Sequence, residues 1–253
     1  MSTEVRPDSC ETPLPAMGLA ELYRLQAFFS PAFPVGAFTY SHGLEQVIED
    51  GDVKDAASLR LWLCSILRHG SGRTDGILLA ESWRAAMAGD AAHLRELAAL
   101  GLALCPSRER YVETSAQGTA FLATVRNAWD DGQPHVAPAA TLFQNLAQDG
   151  ATAEPWPYPV AAGLALAASG VPLDAGLAAY LHAFAANLIS AAVRAVPLGQ
   201  TDGQRVLAGL MPQVLDTAQT AAASGIEGLG SCTFIADIAS MRHETQYTRL
   251  FRT

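Results

Sequence analysis

Ser41, His42 and Glu45 fall within one short stretch, SPAFPVGAFTYSHGLE (residues 30–45), and are the types of a nucleophile, a base and an acid. A serine hydrolase needs its base in contact with the hydroxyl and an acid on the far ring nitrogen. Periodicity places this cluster on a helix from about 37 to 49, where successive side chains point about 100° apart. Ser41 and His42 then diverge, and Ser41 shares a face with Glu45 instead. No strand leads into the stretch, as a nucleophile elbow requires. A hydrolase using Ser41 and His42 is therefore the weaker reading. In the stronger one Pro31 and Pro34 hold an extended entry, Gly36 allows a turn, and Tyr40, Leu44 and Val47 pack inward.

The other chemistry-bearing residues form no complete site. HETQY (243–247) opens like the zinc-protease pattern HExxH, but Tyr247 stands where the second histidine belongs. His42, His69, His93, His135, His182 and His243 share no ligand spacing. His182, in a long apolar helix, reads as a hydrogen-bonded core histidine. Lys54 is the single lysine and follows no glycine-rich loop, so a phosphate-binding loop is absent. The glycines of GIEGLG (225–230) are in the wrong order for a dinucleotide fingerprint. Cys10, Cys64, Cys105 and Cys232 include no CxxC pair; Cys64 and Cys105 sit in apolar runs as small hydrophobes.

The C-terminal stretch MRHETQYTRLFRT (241–253) is different. Arg242, Arg249 and Arg252 interleave with Tyr247, Leu250 and Phe251, in a chain with 16 basic and 25 acidic residues. Arginine mixed with aromatic residues is typical of protein–protein contacts, so this stretch reads as a docking tail.

The elements positioning these residues are helices. Leu19, Leu22, Leu25 and Phe29 recur at helical spacing until Ser30-Pro31 stops the run. Further helices fit residues 56–69, 74–88, 91–104, 107–129, 138–148 and 159–168. Residues 172–197 form the most apolar helix, which reads as central and buried; another covers 202–221, with Pro212 as a kink. No alternating β-branched run and no hairpin signal occurs. The expected fold is all-α, a single-domain irregular bundle of roughly eight to ten helices. Residues 1–17 read as a disordered arm, 18–224 as the helical domain, and 225–253 as a glycine-rich link and partner-binding tail.

A net charge of −9 without a basic block argues against nucleic acid. The N-terminus lacks a signal-peptide pattern, and the longest apolar run, from Val160, is too short to span a bilayer. No membrane and a cytoplasmic location are the expectation.

Two motifs, SPAFPVGAFTYSHGLE and SMRHETQYTRLFRT, resemble those of the urease accessory protein F (UreF) family. VRAVPLGQTDGQRVL (193–207) is similar to that family's middle signature, and the three lie in family order. His42 replaces a frequent glutamine and Thr253 a terminal serine. The resemblance implies an all-helical, non-catalytic homodimer that holds no cofactor stably. It would bridge a second accessory protein (UreD, also called UreH) and the GTPase UreG on apo-urease, coupling GTP hydrolysis to nickel insertion. It also implies that Tyr40, Ser41, His42 and Glu45, together with His243, Glu244, Tyr247, Arg249 and Phe251, serve partner binding. Arg249 is the foremost of these, because its planar fork suits carboxylates or carbonyls. Arg194, Gln200 and Gln204 would brace the tail or line a polar interface.

Overall fold

Leucine and alanine at a spacing of three and four residues produce the helices, and short caps separate them. A computed structural model describes residues 17–129, 137–148 and 155–252, so the expected N-terminal arm falls almost wholly outside it. Among the described residues are eleven α-helices: α1 (Leu19–Phe28), α2 (Leu44–Glu49), α3 (Ala56–His69), α4 (Ser71–Ala88), α5 (Ala91–Ala103), α6 (Arg108–Ala128), α7 (Ala137–Gln148), α8 (Tyr158–Ala168), α9 (Leu173–Ala195), α10 (Gln200–Ala223) and α11 (Phe234–His243). No strand occurs among them, and the all-α reading holds.

Local chemistry sets the boundaries. Asp55 caps α3 by accepting from the Ser58 amide at 2.8 Å, and the Ser58 hydroxyl accepts from the Asp55 amide in return. Ser107 caps α6 through the Arg110 amide at 3.2 Å. Two boundaries differ from the sequence expectation. The single helix expected over 37–49 is broken: a 3-10 turn (Ala37–Thr39) is followed by extended Tyr40, then by His42 (φ 57°) and Gly43 (φ 75°) in left-handed backbone, and only then by α2. The second difference is α11, which lies in the segment expected to be link and tail.

The central helix is also not the expected one. In α8 every residue from Pro159 to Ala168 is buried, and the helix packs against α4, α6 and α7. Its small residues let neighbours approach on all sides; a Cβ on Gly163 would collide with the Leu79 carbonyl of α4. Ser82 fastens the same contact by donating to the Val160 carbonyl at 2.7 Å. The longer α9 keeps a wet side carrying His182, Ser190 and Arg194, so His182 is exposed and not in the core. By length and composition α9 could cross a membrane, but half of its most apolar window is buried inside the bundle. Under the N-terminal turn, Phe28, Phe33, Phe121 and Trp129 pack edge to face, with ring centroids 5.5–5.8 Å apart around Phe28. Burying such a ring contributes about 1.5–3 kcal/mol.

Candidate functional site

Stretches far apart in the chain converge on one seam. Gly43 makes this possible, since a Cβ there would lie 2.6 Å from the Ser240 nitrogen of α11. Beside it Ser107 and Ser240 share a hydrogen bond of 2.6 Å between buried hydroxyls. The N-terminal turn, the start of α6 and the C-terminal segment are thereby held together.

Glu45 receives the C-terminus. Its carboxylate accepts from the amides of Leu250 (2.7 Å) and Phe251 (3.0 Å) and contacts His243 Nε2 at 3.1 Å. The other ring nitrogen of His243 meets Glu109 at 2.8 Å, and Glu109 also accepts from Arg249 at 2.9 Å. Outer contacts extend the fastening: Arg242 pairs with Asp50 at 2.6 Å, Glu244 accepts from the Arg108 amide at 2.8 Å, and the Arg252 amide donates to Thr39. Arg194 joins the middle signature to both ends. It donates to the Phe38 carbonyl at 2.9 Å, and its guanidinium lies 3.7 Å from the Phe38 ring centre and 4.4 Å from that of Phe251. Residues 244–252 thus form a strap fastened across the bundle.

Of the residues singled out from the sequence, Tyr40, Ser41, Glu45, His243 and Phe251 are buried, and Glu244 is half-buried. Arg194, Tyr247 and Arg249 are exposed, Tyr247 completely. Gln200 and Gln204 lie on the open side of α10, and no hydrogen bond among the described residues joins them to the strap. The strap's backbone is pinned, yet exposed apolar side chains run along it and α11: Phe234, Ile235, Ile238, Met241, Tyr247 and Leu250.

Inside the seam lies a second, buried cluster. His42 Nε2 is 2.6 Å from Glu113 Oε1, and Glu113 is also paired with Arg110. Burial pushes the Glu113 carboxyl up, but Arg110 and His42 outweigh it and hold it at about 2. For His42, burial and the nearby Arg110 charge lower its proton affinity. Asp75 on α4 accepts from the Tyr180 hydroxyl at 3.1 Å, and burial raises its carboxyl to about 6. Burial likewise lifts the Cys105 thiol to about 11, which makes it a poor nucleophile.

This arrangement does not assemble a serine hydrolase. His42 spends Nε2 on Glu113, and Nδ1 carries no hydrogen bond. The Ser41 oxygen accepts instead from the Glu45 amide at 3.5 Å. Among the described residues no group of three or more His, Cys, Asp or Glu side chains is placed to hold a metal ion.

Sequence reasoning missed Glu109, Arg110, Glu113 and Asp75. The run RERYVE (108–113) has the charge density of a solvated helix face, and no local signal marks it as buried. Only the distant partners, His42, His243 and Arg249, distinguish it.

Comparison with known proteins places the chain in a family. The UreF family profile matches residues 53–211. A urease accessory protein UreF of Rhodopseudomonas palustris (strain HaA2) is 53% identical over 248 residues, covering 98% of this chain and 100% of the relative. Its counterpart in Bradyrhizobium sp. (strain BTAi1 / ATCC BAA-1182) is 50% identical over 232 residues, covering 92% of each. The chain belongs to the UreF family of urease accessory proteins.

Proposed function

We propose that this protein is a non-catalytic scaffold for urease maturation, working in the cytoplasm as a homodimer. It holds UreD (UreH) and the GTPase UreG together on apo-urease and couples GTP hydrolysis to nickel insertion. Nickel is cargo of the whole complex, and this chain keeps no cofactor of its own. The observation that carries the reading is the exposed apolar row from Phe234 to Leu250 on a rigidly fastened backbone. An apolar surface held in place is what a partner can bind without a large ordering cost.

Within this reading the partner-facing residues divide by burial. Tyr247 and Arg249 meet the partner directly, with Leu250 beside them. Tyr40, Ser41, Glu45, His243 and Phe251 act through the strap by fixing its position, and Arg194 joins them from α9. His42 and Glu244 serve the underlying seam, while Gln200 and Gln204 offer a separate polar surface on α10.

Co-expression with the cognate UreD and UreG, followed by size-exclusion chromatography with light scattering, tests the proposal. The native chain is expected in a stable ternary complex. Tyr247→Ala combined with Leu250→Asp should elute without UreD while keeping native helicity. A native chain that elutes free of both partners would set the scaffold reading aside.

A further inference from the structure

His243 has no exposed surface and a carboxylate on each side of its ring. Nδ1 lies 2.8 Å from Glu109 Oε2, and Nε2 lies 3.1 Å from Glu45 Oε2. A neutral imidazole has one N–H and one lone pair, so it can donate to only one of these oxygens. The other oxygen would then face the lone pair, two buried acceptors with no hydrogen between them. One more proton removes the conflict.

The carboxylates are poor places for that proton. Glu45 Oε1 already accepts from the Leu250 amide and Glu45 Oε2 from the Phe251 amide, while Glu109 Oε1 accepts from Arg249. Charge gives the same answer. Glu45 and Glu109 are negative, Arg249 is positive, and an imidazolium at His243 balances the group. Charges taken out of water persist when paired in this way.

The balanced group spans α2, α6, the end of α11 and the strap, and it exists only while these pieces touch. Released from Glu45 and Glu109, the ring meets water as an ordinary histidine, which sheds its second proton near pH 6.5. We propose that fastening the strap takes up a proton on His243, so that rising pH unlatches residues 244–252. The closed strap binds one proton more than the open one, and its advantage falls about tenfold per pH unit while that difference lasts. Below about pH 6 both forms carry the proton and the latch is at full strength.

The surrounding groups do not supply this dependence. Arg242 of α11 pairs with Asp50 after α2, Glu49 of α2 accepts from Gln246, and Glu244 accepts from the Arg108 amide at the start of α6. These carboxylates and arginines, with Arg252 of the strap, keep their charges between about pH 7 and 9. Burial raises the Tyr40 hydroxyl and lowers the proton affinity of His42, so both stay neutral over that range. The latch is read from the strap itself and is tested separately from the scaffold reading. Where that reading holds, alkaline pH withdraws Tyr247 and Leu250 from the partner.

The test follows the full native chain by nuclear magnetic resonance. In the nitrogen-15 spectrum of histidine-labelled protein at about pH 7.5, both His243 ring nitrogens should carry hydrogen, without the unequal pair of shifts of a neutral ring. Amide exchange at Leu250 and Phe251, corrected for its intrinsic pH dependence, should lose at least about tenfold in protection between about pH 7 and 9. The amides of α8 should keep theirs. His243→Gln cannot take up the proton, so its strap should be less protected and equally so at both pH values. A neutral His243 ring beneath protected strap amides would overturn the proposal, as would native strap protection that is unchanged from pH 7 to 9. Both of these readings come from the native chain, so they decide the matter even if His243→Gln does not fold.

Discussion

Two histidine–carboxylate clusters share the first two turns of α6, and they are finished differently. His243 lies between Glu45 and Glu109 with both ring nitrogens engaged and no exposed surface. His42, one helical turn along at Glu113, has one nitrogen engaged and one buried without a hydrogen bond. The same pair of groups fastens the chain when its hydrogen bonds are closed. Left open, it buries a polar atom without a hydrogen bond, which native interiors seldom tolerate. Closure marks the strap as structure that positions a surface; the half-closed pair at His42 holds only the turn beneath it.

The sharpest way to break the closed cluster is Glu45→Ala. It removes the acceptor of two strap amides and one of the two partners of a fully buried histidine. A cost of about 3–5 kcal/mol is expected, as for other buried pairs stripped of one member. Amide hydrogen exchange at Leu250 and Phe251 should lose its protection, and urease activation should fail with it. Protected amides in this variant would show that Glu45 does not hold the strap. Gly43→Ala attacks the same closure sterically, through a Cβ 2.6 Å from the Ser240 nitrogen and a φ of 75°. It should cost about 2 kcal/mol in a denaturant melt; an unchanged midpoint would mean that α11 moves aside freely.

The two clusters were unequally legible. Helix spacing in α3, α5 and α8 and the caps Asp55 and Ser107 are local facts, and the helical fold follows from them. Glu45, His243 and Arg249 stood out through motifs, but the burial of Glu45 and His243 did not, and the Glu109 carboxylate that His243 and Arg249 share lies more than a hundred residues from both. Nothing local separates Glu109 and Glu113 from an ordinary wet helix face. The break at His42-Gly43 was hidden for a related reason: the left-handed turn is imposed by α11 crossing above it, and tertiary contact overrode the helical period of 37–49. The same limit moved the centre of the bundle from α9 to α8. Length and hydropathy favoured α9, whereas the small residues of α8 admit neighbours on every side.

The open cluster is tested by Asp75→Asn. The folded Asp75 carboxyl titrates at about 6, above its ordinary value of 3.8, because burial disfavours its charge. The groups facing it are Tyr180 from α9, Arg110 and Glu113 from α6, and His42 and Cys105 from the adjoining loops. A raised acid favours the folded state while protonated, below pH 4, and that advantage fades as pH rises through 6. Asp75→Asn, which cannot ionise, should therefore be more stable than the native chain by about 1–3 kcal/mol at pH 7.5. The gap should close as pH falls below 4. Urea melts at the two pH values decide it; a gap that widens in acid would mean that Asp75 is held ionised by Arg110.

The smallest effect is expected at Ser41, which sits between the clusters. Its hydroxyl accepts from the Glu45 amide at 3.5 Å, a long bond in a fully buried setting. Ser41→Ala should cost about 1 kcal/mol in stability and change urease activation by less than about twofold. A fall in activation of about a thousandfold or more, with native folding and partner binding intact, is the signature of a lost nucleophile. That result would return Ser41 and His42 to the chemistry their neighbourhood first suggested.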